Sequence, residues 1–181
     1  MFFIGDIHGN MKNYEELISQ VPRSIQVGDF GHGFTKIPEY PKSHVHLRGN
    51  HDDPALAKVH PNFLGEYGIY KDYFYVSGAY SRDGSKRILG VSLFANEEIS
   101  YLEFQKVFEL SYEYQGIKKV VSHDAPEDVY GYTSLTSIAL SKVFQILRPE
   151  LWVYGHHHEY KETFIKGCRF ICAPKESIIK L

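Results

Sequence analysis

The sequence predicts an α/β protein whose functional site gathers at the carboxyl ends of its strands. Three observations carry that expectation. Short apolar runs alternate with segments of helical period through the first half of the chain. Each run breaks at a glycine accompanied by Asp, Asn or His, side chains able to bind a metal or a phosphate. The second half then adds aromatic and β-branched runs divided by turn residues.

The first run, Met1 to Ile4, reads as a buried strand that stops at Gly5 and delivers Asp6-Ile7-His8-Gly9-Asn10. Asp6 and His8, two residues apart, share one side of an extended strand end. A carboxylate and an imidazole aimed at one point suit zinc, manganese or iron, although an ordinary turn also accommodates both residues. Lys12 to Val21 places Tyr14, Leu17, Ile18 and Val21 at helical spacing, and Pro22 ends it. Ser24 to Val27 is a second strand, ending in Gly28-Asp29, and Phe30-Gly31-His32-Gly33 is a loop. After a Pro-marked connection, His44 to Leu47 alternates as a strand and runs into Arg48-Gly49-Asn50-His51-Asp52.

Further along, Asp53 to His60 reads as a short helix closed by Pro61, and Asn62 to Lys71 as a glycine-punctuated loop. Tyr73 to Ser81 and Arg87 to Phe94 are β-rich runs flanking Arg82-Asp83-Gly84-Ser85, a hairpin signal. Glu97 to Tyr114 and the segment carrying Leu135, Ile138, Ala139, Val143, Ile146 and Leu147 are helices. Ile117 to Val121 is a strand leading to Ser122-His123-Asp124, and Leu151 to Tyr154 one leading to Gly155-His156-His157-His158. Thr163 to Leu181 reads as two strands around Ala173-Pro174.

The 181 residues have room for one sizeable core and contain no repeat, low-complexity tract or linker, so residues 1–181 read as one domain. A net charge of −2 leaves no footprint for tight non-specific nucleic-acid binding. Cys168 and Cys172 lie too far apart along one strand to bridge, and free thiols suit a reducing compartment. Asp6 interrupts the N-terminal apolar run and no stretch approaches membrane-spanning length. A cytoplasmic location is the expectation.

Five strand ends thus carry Asp6 and His8, Asp29, Asn50 and His51, His123, and His156 and His158. Singly, each has an ordinary explanation as a cap, a turn residue or a core histidine. Jointly, after apolar runs and beside glycines, they form a set. The blocks Gly5-Asp6-Ile7-His8, Gly28-Asp29, Gly49-Asn50-His51-Asp52, His123 and Gly155-His156-His157-His158 resemble, in order, those of the calcineurin-like metallophosphoesterase superfamily. The resemblance implies two mixed β-sheets packed as a sandwich with flanking helices. It further implies that Asp6, His8 and His158 bind one divalent metal, Asn50, His123 and His156 a second, and that Asp29 bridges them. Manganese leads the candidates, with iron, zinc or nickel behind it.

Two cations roughly 3.5–4 Å apart clamp the attacking and leaving oxygens of a displacement at phosphorus, and a hydroxide between them serves as nucleophile without a covalent enzyme intermediate. His51 is then free to protonate the leaving oxygen or stabilise its charge, with Asp52 either orienting its ring or capping the next helix. Arg48 either forks a substrate phosphate or forms an ion pair at a strand end. In many relatives the second block continues to a phosphate-contacting arginine. Here it is one residue shorter, and His32 either binds substrate, orients a ligand or is a plain loop histidine. His44 and His46 read as structural, His157 as lining, and Asp124 has no evident role. The function implied is hydrolysis of a phosphodiester or phosphomonoester on a small phosphorylated substrate. A dinucleoside tetraphosphatase or Ser/Thr phosphatase-like enzyme is the alternative, and a nuclease or a non-catalytic binding scaffold ranks below.

Overall fold

A computed structural model describes residues Met1–Leu181. The chain runs β1 (Phe2–Ile4), α1 (Met11–Ser19), β2 (Ser24–Gln26), β3 (His44–His46), α2 (Pro54–Lys58), β4 (Tyr67–Tyr70), β5 (Tyr73–Val76), α3 (Tyr101–Glu113) and β6 (Lys119–Ser122). It continues through α4 (Glu127–Tyr130), α5 (Leu135–Leu147), β7 (Leu151–Tyr154), β8 (Lys161–Ile165), β9 (Cys168–Cys172) and β10 (Ile178–Lys180). These form a four-stranded sheet, β10-β1-β2-β3, and a six-stranded sheet, β4-β5-β6-β7-β9-β8. Both are mixed: β1, β2 and β3 run parallel with β10 antiparallel. β5, β6, β7 and β9 run parallel between the antiparallel edges β4 and β8.

Strand alternation explains why the sheets stack. Phe3, Ile25 and Val45 of the first sheet meet Tyr75, Val121 and Val153 of the second in one buried cluster. The intervening residues face outward. Phe74, Val120, Trp152 and Phe170 pack under α3 and α5 through Val107, Leu140, Val143 and Phe144. On the opposite outer face, Ile4 packs with Tyr14 of α1 and with Phe30. The result is helix, sheet, sheet, helix, with the carboxyl ends of β1, β2, β6 and β7 opening on one rim.

Caps and turns follow local chemistry. Asn10 caps α1 by accepting from the Asn13 amide, and Ser100 with Glu103 forms a capping box on α3. Lys166 (φ +49°) and Gly167 (φ +84°) supply the two left-handed residues of the tight β8–β9 hairpin.

The structure corrects three expectations. The segment expected to be loop before Tyr73 contains β4, which pairs with β5, so the hairpin in this region spans Tyr67 to Val76. The Arg82–Ser85 turn signal builds a single 3₁₀ turn at Gly84–Lys86 instead. With β4 on one side of β5 and β6 on the other, residues 87–94 cannot pair with β5 as a hairpin would require, and Ile88, Leu89 and Val91 lie exposed. The C-terminal segment holds three strands, because the Lys166-Gly167 turn divides the first expected one into β8 and β9; the break at Ala173-Pro174 stands, and beyond it β10 joins the first sheet. Cys168 and Cys172 are buried free thiols in β9.

Phe170 is fully buried and stacked on Trp152, with ring centroids 5.5 Å apart. Phe170→Ala is expected to cost about 3–5 kcal/mol in urea unfolding, with a red-shifted native emission from Trp152, the sole tryptophan.

Candidate metal centre

Glycines clear the ground for this site. A Cβ on Gly28 would strike the His123 ring, one on Gly49 would strike both Asp29 and His123, and one on Gly155 would strike Asp6. The glycine preceding each of these blocks is therefore a packing requirement. The buried Gln26 amide ties two loops together, donating to the carbonyls of Gly5 (3.2 Å) and Gly28 (2.5 Å) and accepting from the Gly28 amide (3.1 Å).

Asp6, His8, Asp29 and His158 form one group of donor atoms within 4.8 Å of one another; Asp29, His123 and His156 form a second. Asp29 belongs to both. The individual separations are 2.8 Å between His8 Nε2 and His158 Nε2, 3.1 Å between His158 Nε2 and Asp6 Oδ2, and 3.4 Å between His123 Nε2 and Asp29 Oδ1. Donors held about 2.1 Å from a shared metal lie roughly 3.0–3.4 Å apart along the edges of a coordination polyhedron. Asn50 Oδ1 faces His123 Nε2 at 3.1 Å while its Nδ2 donates to Ser81 Oγ at 2.9 Å. The amide is thereby turned oxygen-inward.

His123 has a determined tautomer. Its Nδ1 lies 2.9 Å from the Val27 carbonyl, which only accepts, so Nδ1 carries the proton and Nε2 is left as a ligand atom. Burial pushes His8 and His156 down to about 3 and His123 well below the usual imidazole range, so these rings are neutral and able to ligate. The carboxylates show the opposite strain. Burial raises Asp6, opposed by His158, and raises Asp29 well above its usual value, aided by the charge of Asp6. Neither is paired with a lysine or arginine, and Asp29 Oδ2 has no hydrogen-bond partner. Two buried carboxylates without a cation among neutral imidazoles are a donor set that fits divalent metal binding.

The convergence differs in detail from the sequence expectation. Asp6 and His8 lie beyond the end of β1, and His8 turns inward through a left-handed backbone (φ +47°) rather than through strand alternation. Asp29, His156 and His158 are also left-handed, at φ +52°, +69° and +62°. Such conformations cost about 1–3 kcal/mol each in non-glycine residues and cluster where a ligand is held. His157 lines the site as expected without joining either donor group, its ring stacked on Tyr130 with centroids 3.5 Å apart.

Three other expected site residues are placed elsewhere. Asp52, fully buried, accepts from the amides of Phe30 (2.9 Å), Gly31 (2.7 Å), His32 (2.9 Å) and Gly49 (2.8 Å). It neither orients the His51 ring nor caps α2, which Asp53 caps through the Ala55 and Leu56 amides. Arg48 is buried, with Nε on Glu66 at 2.7 Å and Nη1 on the Glu97 carbonyl at 2.7 Å, so the ion-pair alternative describes it. His32 is buried with Nε2 2.9 Å from His46 Nε2, in a histidine cluster beside Phe30, so it is neither exposed loop nor directed at the ligands. Asp124 accepts from the Ala125 amide and the Tyr132 hydroxyl, and burial pushes it up to about 7.

His51 does reach the site. Its amide donates to Asp29 Oδ1 at 2.8 Å, and its ring lies edge-on to His8 with centroids 5.0 Å apart. It borders a cavity of about 320 Å³ that has no hydrophobic lining residue and also exposes Asp29, Asn50, His156 and His158. Arg82, Asp83 and Arg87 on that rim, and Ser81 beneath it, escaped the sequence reading because no local pattern marks them.

The family model for calcineurin-like phosphoesterases matches residues 1–160. The chain belongs to the calcineurin-like phosphoesterase family. Among solved structures, TT1561 of Thermus thermophilus is similar at a TM-score of 0.58 and 12% identity, covering 97% of this chain and 88% of its own. GAP50, described as the anchor in the inner membrane complex of Plasmodium, is similar at 0.55 and 11%, covering 98% of this chain and 72% of its own. At such identities these neighbours show the shared fold: two mixed sheets with flanking helices. No curated protein matches the chain in sequence. No helix is long and apolar enough to cross a membrane.

Asp52→Ala is expected to leave four buried amides without an acceptor and to lower stability by at least about 3 kcal/mol, since each orphaned donor costs about 1–3 kcal/mol. Urea midpoints check it. A role confined to orienting His51 would lower activity while leaving the midpoint in place.

Proposed function

We propose that this phosphoesterase hydrolyses a phosphodiester or phosphomonoester of a small phosphorylated substrate, using two divalent metal ions, by in-line attack of water with no covalent enzyme intermediate. The observation that carries the reading is Asp29, common to two donor groups that together include Asp6, His8, His123, His156 and His158. When bound, a divalent pair supplies an acidified water and positive charge for the phosphoryl oxygens.

The chain's own residues divide the remaining work. Asp29 is fixed by the His51 amide, so a shift in the catalytic loop and a shift in the shared carboxylate are coupled. Asn50 contributes a neutral oxygen, which keeps the occupied site cationic toward an anionic substrate. His51, on the cavity wall, is the group in position to hydrogen-bond the leaving oxygen and stabilise its charge. Its ring is held down to about 4 by burial and then by the Arg87 charge. No serine, threonine or cysteine lines the cavity, which supports direct attack by water. Both thiols are buried in β9 and pushed up to about 12.

Manganese is the metal that we propose, because the donors are carboxylate, amide and imidazole without thiolate. The two free thiols fit the reducing cytoplasm as the place of action. The fold alone does not separate enzyme from scaffold, since a protein described as an anchor has a similar one. The intact donor set and the polar cavity beside it favour the enzyme.

The test is hydrolysis of aryl phosphate esters by the manganese-loaded protein. His51→Ala is expected to lower kcat by about 10²–10⁴-fold at unchanged manganese content, and Asp29→Asn to abolish both manganese uptake and turnover. Activity that survives in the double variant sinks the two-metal reading, and failure of the wild type to take up any divalent metal moves the protein to the scaffold class.

A further inference from the structure

Arg87 lies in the segment between β5 and α3, outside every family block, yet its guanidinium is held by three partners at the rim of the metal centre. Nη1 donates to Ser81 Oγ at 2.8 Å, Nη2 donates to His51 Nε2 at 2.5 Å, and Nη2 lies 2.6 Å from Asp83 Oδ1. The side chain is only 9% exposed, whereas that of Asp83 is 54% exposed. Ser81 Oγ is also the atom that orients Asn50, so one hydroxyl fixes both a proposed metal ligand and this guanidinium. Ser81 is itself anchored through its amide to Glu97 Oε1 at 2.9 Å. A second cation, Arg82, stands on the same rim with its guanidinium over the Tyr132 ring at 5.4 Å.

We propose that Arg87 grips the phosphoryl group of the substrate and that, with Arg82, it makes the site prefer a terminal phosphate over a phosphodiester. This rests on the two-metal reading above and deepens it. Three features support the assignment. The cavity of about 320 Å³ bounded by Arg82, Arg87 and His51 has no apolar wall, so it suits a phosphate group and leaves an aryl or alkyl leaving group outside. Asp6 and Asp29 neutralise only half the charge of a divalent pair, and two guanidiniums add to the remainder with Asp83 alone opposing them. A phosphomonoester above its second pKa of about 6 is a dianion and answers that excess better than a singly charged diester. Finally, Asp83 is an exposed carboxylate resting on a nearly buried arginine. Its Oδ1 occupies the Nη2 donor that a phosphoryl oxygen would take, and a planar guanidinium matches such oxygens in a way an ammonium does not.

Wild type, Arg87→Ala, Arg87→Lys and Asp83→Asn are loaded with manganese and compared on an aryl phosphomonoester and an aryl methyl phosphodiester. Manganese content and the affinity for inorganic phosphate, by calorimetry, are read alongside. Arg87→Ala is expected to lower kcat/KM for the monoester by roughly 10–100-fold, the scale of lost charge-assisted hydrogen bonds, and phosphate affinity in parallel. The diester should fall by less than about 5-fold on the same reasoning, with manganese content unchanged. Arg87→Lys should recover only a small part, and added guanidinium should partly rescue Arg87→Ala. Asp83→Asn should tighten phosphate binding, because it removes the competing anion. Equal losses on both substrates with phosphate affinity unchanged, or weaker phosphate binding in Asp83→Asn, would show that Arg87 merely braces its loop and overturn the assignment. A wild type that takes up no metal overturns the two-metal reading itself, and this one with it.

Discussion

The carboxylate of Asp52 is the interaction on which the site depends. Strand β2 ends in the Gly28–His32 loop and β3 in the Gly49–Asp52 loop, and neither loop has a regular partner for its backbone amides. Asp52 collects three amides from the first and one from the second. An ionised carboxylate can accept that many, and in a fully buried place no water replaces it. Asp29 and Asn50 therefore sit on loops tied to one another from beneath. The His51 amide closes the arrangement from above by bonding Asp29 Oδ1. Gly49-Asn50-His51-Asp52 is thus one device: Asn50 faces the centre, His51 faces the cavity, and Asp52 holds both loops in register.

A second constraint is electrostatic. Placing Asp6 and Asp29 side by side without a basic partner is unfavourable for the metal-free fold, and burial drives both away from their ionised forms. The four left-handed ligand residues add backbone strain at the same place. The rest of the structure carries this through two apolar clusters, one between the sheets and one under α3 and α5. A chain selected only for folding would relieve such a centre by one lysine or one hydrophobic substitution. Its persistence in a complete donor set is the physical reason for assigning metal chemistry to this copy of a widely used fold.

The seven proposed ligands were legible in sequence because they follow apolar runs, most of them within a few residues of a glycine and His123 the exception, and because their order along the chain matches a family pattern. The helix Leu135–Leu147 was legible from its period alone. Roles that depend on direction were not. Asp52 and Asp53 are both acidic residues ahead of a proline, and only their backbone geometry decides which one caps α2. The edge strand β4 stayed hidden because Gly65 precedes it and Gly68 interrupts it, while a stronger turn signal at Asp83-Gly84 followed a strand, β5, whose two sides were already taken by β4 and β6.

The two arginines show the same limit most sharply. Arg48 adjoins a family block and so invites a phosphate-binding role, but β3 ends with its side chain directed into the protein, where Glu66 and the Glu97 carbonyl take up its charge. Arg87 lies 36 residues beyond His51 in sequence and returns to it only because the chain leaves β5, makes the Gly84–Lys86 turn and folds back over the rim. Adjacency in sequence placed a cation beneath the metal centre, and tertiary return placed one over it. Glu97 links the two: its carbonyl receives Arg48 and its carboxylate holds the Ser81 amide, so the buried arginine steadies the hydroxyl that positions Arg87 and Asn50. Arg48 thus acts on the site at one remove, as the foundation of the loop that carries the exposed-side cation.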